Sequence, residues 1–397
     1  MNLDKIQAVY FIGAGGIGMS ALIRYFLHKG IVVAGYDKTP TELTHQLEKE
    51  GALLHYEENV EEIPYICRNS ETTLIVYTPA IPKEHKELIY FRENNFEILK
   101  RSQVLGALIR THKGLCVAGT HGKTTTSAMW AHIMHQSHLD CNAFLGGISK
   151  NYGNNYILSE KSDFVVIEAD EFDRSFHWLA PWITVITATD PDHLDIYGTK
   201  EEYLKSFTHY TELIQPNGTL ILHTGLEMKA NVQESVKVYT YGVNEGDFHA
   251  DNINIANGEI SFHLISPLGN VENIQLGHPI PINIDNAIGA MAMAQLAGCT
   301  PEELRYGMQT YKGVDRRFDF AIKNDKHVLL SDYAHHPKEI FESAKSLRQL
   351  YHDRKITVIF QPHLYTRTRD FYKEFALALN QVDEVYQIGR ASCRERV

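Results

Sequence analysis

The feature that most constrains the fold is a glycine-containing turn that directly follows an apolar, strand-like run. The run and the turn AGTHGKTTT together cover residues 114–126. A turn of this kind points backbone N–H groups at a phosphate chain, while Lys123 supplies positive charge and the Thr124 hydroxyl suits Mg²⁺. Residues 125–138 have helical spacing, which completes a strand, a turn and a helix. The segment predicts a nucleoside triphosphate site with ATP as its natural ligand, although the full phosphate-loop pattern would have its first glycine at Val117.

A second glycine motif lies near the start of the chain. A strand-like run over residues 7–12 is followed by G-x-G-x-x-G, which ends at Gly18 and leads into an amphipathic helix. A second strand ends at Asp37, 19 residues beyond Gly18, where a dinucleotide-binding fold places its ribose-binding carboxylate. The motif shows only that a backbone approaches a pyrophosphate at a helix N-terminus, so both NAD and UDP are candidates on this motif alone. The βα alternation that follows predicts a doubly wound sheet.

Carboxylates follow two further apolar strands in the middle of the chain. A strand over residues 164–167 leads into Glu-Ala-Asp-Glu at 168–171. A strand over residues 182–187 leads into Asp-Pro-Asp-His-Leu-Asp at 190–195. Ligands gather at the carboxyl ends of parallel strands, so we expect both clusters to face the same crevice as Lys123. Because Mg²⁺ prefers hard oxygen ligands, the two clusters predict a magnesium site beside the ATP phosphates.

Two strands near the end of the chain also lead into polar segments. Residues 328–331 precede DYAHHP, in which Pro337 suits the first turn of a helix that runs to about Leu350. Residues 356–360 precede QPHLYTRTRD. The pair of histidines in DYAHHP is, by itself, more typical of a turn than of a ligand site.

Size, charge and cysteine content argue against several classes of function. A chain of 397 residues with 44% hydrophobic content can form two or three domains. The net charge of −11, with acidic and basic residues interspersed, argues against a nucleic-acid partner. No apolar run approaches the roughly 20 residues of a membrane span, so we expect no signal peptide, no membrane insertion and a cytoplasmic location. The five cysteines have no C-x-x-C spacing, which argues against a zinc site or a disulfide framework.

The order of the motifs resembles that of the Mur ligases. The matching segments are GAGGIGMS, AGTHGKTTT, EADE, DPDHLD, GVDRRFD, DYAHHP and QPHLYTRTRD. The resemblance covers residues 5 to about 388 and favours a UDP-sugar over a dinucleotide at the first motif. It implies an α/β fold of three domains, namely a Rossmann-like UDP-sugar-binding domain at 1–110, a central P-loop ATPase-like domain at 111–312 and a C-terminal Rossmann-like domain at 313–397.

The resemblance also implies an activity, that of an ATP-dependent, amide-bond-forming ligase of peptidoglycan precursor synthesis. The γ-phosphoryl of ATP would pass to the lactyl carboxylate of UDP-N-acetylmuramate, and the amine of L-alanine would then attack the acyl phosphate, giving ADP and phosphate. A free carboxylate is a poor acyl donor, so a good leaving group has to be installed first. Mg²⁺ and Lys123 would offset the negative charge that both steps concentrate. The protein is expected to act as a monomer or a homodimer.

Site residues follow from the resemblance position by position. The implied catalytic residues are Lys123, His193 and Glu168, and the implied Mg²⁺ ligands are Thr124, Glu168 and His193. ATP would be bound by Gly119, Thr120, Gly122, Lys123, Thr124, Thr125, Asn286, Arg316 and Asp332. The UDP-sugar would be bound by Gly15, Gly16, Gly18, Met19, Ser20, Asp37, Thr78, Arg101, His121 and Asp173. The amino acid would be bound by Tyr333, His335 and Arg367.

The sequence departs from the family pattern at several points. Ile282 stands where many members have a histidine before the two asparagines that meet adenine. Leu364 replaces an arginine that is common in the family, which makes Arg367 the expected anchor for the alanine carboxylate. The final residues, 389–397, read GRASCRERV and do not continue an apolar pattern. We therefore expect a non-native terminus on an incomplete C-terminal domain, and reduced stability of that domain.

Three other functions are compatible with some of these motifs. A ligase that recycles a tripeptide onto the same UDP-sugar shares nearly all of them, and the choice of acceptor would separate the two activities. An NAD-dependent oxidoreductase explains the first glycine motif alone, and NADH binding would identify it. A UDP-sugar-binding protein without catalytic activity is the third alternative.

Overall fold

The computed structural model describes residues 5–256, 259–324, 326–362 and 365–389, apart from the side chain of Thr366. The expected non-native tail beyond Gly389, and the departure at Leu364, lie outside the described residues. Within the described ranges, no helix combines the length and the apolarity that a membrane span requires.

Five parallel strands form the first sheet, in the order β3-β2-β1-β4-β5. They are β1 (Ala8–Ile12), β2 (Val32–Tyr36), β3 (Leu53–His55), β4 (Thr73–Tyr77) and β5 (Glu97–Lys100). The helices of this unit are α1 (Ile17–His28), α2 (Glu42–Lys49), α3 (Lys86–Glu93) and α4 (Arg101–Ile109). Strand β1 is buried along its whole length because alternate residues face two hydrophobic clusters, with Val9 and Phe11 on one side and Tyr10 and Ile12 on the other. The strand order reverses between β1 and β4, which opens a crevice at their carboxyl ends.

A seven-stranded sheet forms the central unit, in the order β12-β11-β10-β6-β9-β7-β8. Its strands are parallel except for the β7/β8 pair. They are β6 (Lys113–Ala118), β7 (Asn142–Ser149), β8 (Asn154–Ile157), β9 (Phe164–Ala169), β10 (Ile183–Ile186), β11 (Thr219–His223) and β12 (Lys237–Tyr241). The helices of this layer are α5 (Lys123–Gln136), α6 (Leu194–Tyr197) and α7 (Lys200–Glu212).

An antiparallel sheet and two helices complete the central unit. The strands are β13 (His249–Ala256), β14 (Glu259–Ile265) and β15 (Val271–Gln275), and the helices are α8 (Ile282–Ala297) and α9 (Pro301–Thr310). Helix α8 is rich in alanine and methionine and is buried with α5 in the largest hydrophobic cluster. This packing fixes α5, and therefore the turn that precedes it, against the rest of the unit.

The C-terminal unit contains two small sheets. Strands β16 (Asp319–Lys323) and β17 (Val328–Ser331) form an antiparallel pair, whereas β18 (Thr357–Phe360) and β19 (Glu384–Gln387) are parallel. Helices α10 (Pro337–Leu350), α11 (Tyr365–Asp370) and α12 (Tyr372–Leu379) complete the unit. Its small core contains Ile340, Phe360 and Phe375. A bridge between Ser149 and Val314 joins the start of this unit to the end of β7.

Candidate active site

The phosphate-binding turn lies between β6 and α5, as the sequence predicts. Gly119 and Gly122 have φ angles of 132° and 81°, which L side chains rarely adopt. A Cβ at Gly119 would also lie 2.8 Å from the backbone nitrogen of Ala188, so the turn can run close to β10 only with glycine at this position. Gly122 caps α5 without a side-chain hydrogen bond. The first turn of α5 therefore presents backbone N–H groups that can bind phosphate oxygens.

Lys123 begins α5 and folds back over the turn. Its Nζ donates to the carbonyl oxygen of Gly119 at 2.7 Å and lies 2.8 Å and 3.0 Å from the carboxylate oxygens of Glu171. Although burial lowers the pKa of Lys123, the carboxylates of Glu171, Asp170 and Glu168 raise it above its ordinary value. The ammonium group is therefore charged at neutral pH.

Thr124 and Glu168 form the oxygen-rich part of the site. The Thr124 hydroxyl donates to the Glu168 carboxylate, with distances of 2.9 Å and 3.1 Å to its two oxygens. The apolar run alone predicts that the strand ends before Glu168. In the structure β9 extends through Ala169, so Glu168 lies within the strand. The strand continues because Glu168 pairs with Val117 of β6. A hydroxyl and a carboxylate side by side fit the ligand preference of Mg²⁺.

His193 is the third predicted Mg²⁺ ligand. It has a left-handed backbone (φ 52°) at the start of α6, and its ring centroid lies 5.1 Å from that of Phe172. Burial lowers the pKa of His193, although the Asp192 carboxylate at 3.6 Å opposes this effect. The ring is therefore neutral at physiological pH, which metal coordination requires. Among the described residues, no three His, Cys, Asp or Glu side chains converge as a preformed metal cluster. The donors present would complement the oxygens of a bound phosphate chain.

A cavity of about 1080 Å³ separates the central and C-terminal units beside the turn. Four of the predicted ATP residues line it, namely Gly122, Thr125, Asn286 and Asp332. Arg316, which was also predicted to contact ATP, is exposed and is not among the lining residues, whereas its neighbour Arg317 is.

His121 also lines this large cavity, although it was predicted to contact the UDP-sugar. Its ring nitrogens lie 3.4 Å from the carboxylates of Asp190 and Glu339, and the His336 ring lies at 4.8 Å. Although burial lowers the pKa of His121, the two carboxylates raise it above its ordinary value. The residue therefore joins the phosphate-binding turn to the N-terminal end of α10.

A second cavity, of about 210 Å³, lies between the N-terminal and central units. The predicted residues Thr78 and Arg101 line it, together with Asp170. Arg101 covers Gly18 so closely that a Cβ there would lie 2.9 Å from Cζ of the guanidinium group. The guanidinium therefore lies beside the start of α1, where a pyrophosphate would meet both the helix N-terminus and the arginine.

The other predicted UDP-sugar residues lie in α1, in the loop that precedes it, or in the segments that follow β2 and β9. Asp37 accepts a hydrogen bond from the backbone nitrogen of Gly15 at 2.6 Å, and Asp173 is paired with Lys100 at 2.5 Å. Met19 and Ser20 are buried, and the Ser20 hydroxyl contacts Asn155 of β8 at 3.4 Å. Ser20 therefore contributes to the contact of α1 with the central unit. Gly16 precedes α1 as its N-cap.

The predicted amino-acid residues come from two segments of the C-terminal unit, one between β17 and α10 and the other in α11. Arg367 is buried, and its guanidinium lies 2.8–3.2 Å from the carboxylate of Asp192. The Nδ1 atom of His335 lies 2.7 Å from the carbonyl oxygen of Tyr333. Burial lowers the pKa of His335. The structure thus brings Arg367 to the loop that carries His193.

Several residues of the site were not assigned from the sequence. Glu171 pairs with Lys123, Glu339 pairs with His121, and Lys338 lies 2.8 Å from the carboxylate of Asp190. The acidic motifs drew attention to the aspartates and to Glu171, but no local pattern connects them with partners that are distant in the chain.

Three protein-family models match the chain. They are described as "Mur ligase family, catalytic domain" over residues 8–113, "Mur ligase middle domain" over 117–294 and "Mur ligase, glutamate ligase domain" over 316–396. The phosphate-binding turn lies in the middle one of three α/β units, which is the domain arrangement of this class of ligases. The chain belongs to the Mur ligase family. The predicted three-domain α/β architecture is confirmed.

Individual relatives are similar over nearly the whole chain. A UDP-N-acetylmuramate--L-alanine ligase of Phocaeicola vulgatus is 65% identical over 100% of this chain and 86% of its own length. A protein of the same name from Parabacteroides distasonis is 56% identical with the same coverage. The crystal structure of UDP-N-acetylmuramate-alanine ligase MurC from Thermotoga maritima has a TM-score of 0.80 and 25% identity, and covers 96% of this chain and 90% of that chain.

Proposed function

We propose that the chain catalyses the ATP-dependent ligation of L-alanine to the lactyl carboxylate of UDP-N-acetylmuramate, with release of ADP and phosphate. The names of its closely similar relatives support this activity. The observation that carries the proposal is the charged ammonium group of Lys123 at the phosphate-binding turn. Gly122 and Thr125, on either side of the first residues of α5, line the large cavity. A nucleotide in that cavity would bring its phosphates to the turn and to Lys123.

Activation of the carboxylate requires charge neutralisation at this position. In the proposed reaction, a carboxylate oxygen attacks the γ-phosphorus and the bond to the β-phosphate oxygen breaks, which gives ADP and an acyl phosphate. Lys123 and the N-terminus of α5 stabilise the equatorial phosphoryl oxygens. Thr124, Glu168 and His193 would hold Mg²⁺, which would neutralise further charge on the phosphates. The adjacent oxygens of Thr124 and Glu168 support this assignment.

Amide formation follows when the amine of L-alanine attacks the activated carbonyl and phosphate leaves. Arg367 would bind the carboxylate of the amino acid, with Tyr333 and His335 beside it. The buried position of Arg367 next to the loop of His193 supports this role, because it brings a cation close to the phosphate side of the site. A carboxylate that binds Arg367 would share the guanidinium with Asp192 or displace it.

The proposal includes the division of the chain into units 1–110, 111–312 and 313–397, a cytoplasmic location, and action as a monomer or a homodimer. The boundaries of the matching family models support the division. The remaining ATP residues and the UDP-sugar residues assigned above are part of the same proposal; these ATP residues are Gly119, Thr120, Gly122, Thr125, Asn286, Arg316 and Asp332.

A phosphate-release assay with UDP-N-acetylmuramate, MgATP and L-alanine tests this function. We expect release that depends on all three substrates, and we expect the Lys123→Ala variant to abolish it. Lys205→Ala is the matched control, because Lys205 is exposed and pairs with Glu202 on the surface of α7. Release that requires a tripeptide in place of L-alanine would indicate the recycling ligase. Binding of NADH without binding of the UDP-sugar would contradict the proposal altogether.

A further inference from the structure

A buried carboxylate lies against the phosphate-binding lysine, and the proposed reaction gives it no role. Glu171 follows β9, and its side chain is only 2% exposed. Its own backbone carbonyl accepts hydrogen bonds from the Tyr197 hydroxyl at 2.5 Å and from the backbone nitrogen of Arg174 at 2.9 Å. These bonds hold the backbone at Glu171, so the carboxylate has a defined position beneath Lys123.

The donors of the Lys123 ammonium group are directed at three oxygen-bearing groups. Two are the carbonyls of Gly119 and Thr120, at 2.7 Å and 3.4 Å, and the third is the Glu171 carboxylate, at 2.8 Å and 3.0 Å. An ammonium group has three N–H donors, so a phosphate oxygen can bind Lys123 only if one of these partners is released. The carbonyls belong to the turn that wraps the phosphate, whereas Glu171 is an anion that the incoming phosphate repels.

We propose that Glu171 is a positioning residue that holds Lys123 in place before nucleotide binds. When the phosphates bind Lys123, the Glu171 carboxylate releases the lysine and takes up a proton from solvent. This inference rests on the proposed nucleotide site. In the free protein the carboxylate keeps a buried lysine charged and orientated. In the complex the phosphates become the partners of Lys123, and protonation neutralises the Glu171 carboxylate that the lysine has left.

The surroundings of Glu171 favour this proton uptake. Burial raises its pKa to about 7, although Lys123 opposes that effect. Asp170, beside it in the same loop, raises its pKa further, and the groups that face it from α6 and α7 are the phenols of Tyr197 and Tyr203. Burial raises the pKa of both phenols, so they stay neutral. Once phosphates hold Lys123, the lysine opposes protonation of Glu171 less, and the pKa of Glu171 rises further.

Calorimetry in buffers of different ionisation enthalpy measures the protons taken up when a ligand binds. The probe is the Mg²⁺ complex of a non-hydrolysable ATP analogue, titrated into the full chain at pH 6 and pH 8. At pH 8 we expect the wild type to take up more protons per nucleotide than Glu171→Gln, by up to one, because the free acid is ionised there. At pH 6 the free acid is already protonated, so we expect the two proteins to agree. Glu202→Gln removes an exposed acid–lysine pair on α7 and should behave as the wild type does.

Equal proton uptake by the wild type and Glu171→Gln at pH 8 would overturn this inference and leave the nucleotide site intact. A wild type that binds no nucleotide would overturn the proposed function as well. The comparison of pH 6 with pH 8 in the wild type needs no variant, so a folding defect in Glu171→Gln does not remove the test. Uptake that is unchanged between these two pH values would also contradict the proposal.

Discussion

Asp192→Asn should loosen the C-terminal unit, because it removes one charge from a buried ion pair. The Arg367 guanidinium makes contacts of 2.8 Å, 3.0 Å and 3.2 Å with the Asp192 carboxylate, and the two side chains are 6% and 10% exposed. Asparagine keeps one acceptor oxygen but leaves the buried guanidinium without a counter-charge. Removing one partner of a buried pair costs about 3–5 kcal/mol, and the retained oxygen places this variant near the lower end.

The matched control is Asp370→Asn in the same unit. Asp370 pairs with Arg369 at 2.7 Å, but these side chains are 38% and 61% exposed, so the change should cost at most about 1 kcal/mol. Native-state hydrogen exchange of α11 and α12 measures the opening of this part of the chain. A loss of about 3 kcal/mol makes exchange more than about 100-fold faster in Asp192→Asn. If the two variants exchange at the same rate, the buried pair does not hold the C-terminal unit and the reasoning is wrong.

Three further predictions concern the other two units. Gly146→Ala would place a Cβ 2.7 Å from Cδ of Glu168. Because the flexible carboxylate should move aside, we expect turnover to fall by about 100-fold with little change in the melting temperature. Burial raises the pKa of Glu87 from 4.5 to about 7, so the contribution of this acid to stability is present below about pH 4.5 and is lost as the pH rises through 7. Thermal unfolding of Glu87→Gln should therefore lack a pH-dependent loss of roughly 3 kcal/mol in the free energy of unfolding. Gly18→Ala would push against Arg101 and should weaken UDP-N-acetylmuramate binding about tenfold in calorimetry.

Each of these variants has an outcome that would contradict its reasoning. A Gly146→Ala protein with normal turnover would show that the Glu168 carboxylate need not stay beside Thr124. If Glu87→Gln keeps the wild-type pH dependence, the buried acid of the N-terminal unit does not titrate in this range. Glu61→Gln is the control for the UDP site, because Glu61 is 83% exposed in the same unit and is not among the residues assigned to the UDP-sugar. An equal loss of affinity in both variants would contradict the role of Arg101.

The local sequence predicts the ends of strands and helices well where strong signals mark those ends. The sequence places β17 at 328–331, and the structure has Val328–Ser331; the helix expected from Pro337 to about Leu350 is α10. Proline at the first helical position and a short apolar run are local signals, so they need no information from the rest of the chain. Strand β9 was predicted too short because its end depends on pairing with β6, and pairing continues after the apolar residues stop.

The remaining features depend on residues that are far apart in the chain. The local pattern of β17 does not reveal that its partner is β16 and not β18, since strand pairing is a long-range property. The pairing of Lys338 with Asp190, 148 residues apart, likewise has no signature in either segment. The sequence therefore identifies the acidic motifs as functional candidates, but only the fold assigns each carboxylate a partner.

One loop connects the phosphate side of the site with the C-terminal unit. Asp190 pairs with Lys338 of α10, and Asp192 pairs with Arg367 of α11. His193 is the next residue after Asp192, so the ion pair that holds α11 also fixes the backbone that presents the imidazole. A shift of the C-terminal unit by one or two ångströms would break these contacts, because hydrogen-bonded ion pairs weaken steeply with distance. A change at either aspartate can therefore disturb the candidate metal ligand and the proposed amino-acid site together, without touching a substrate.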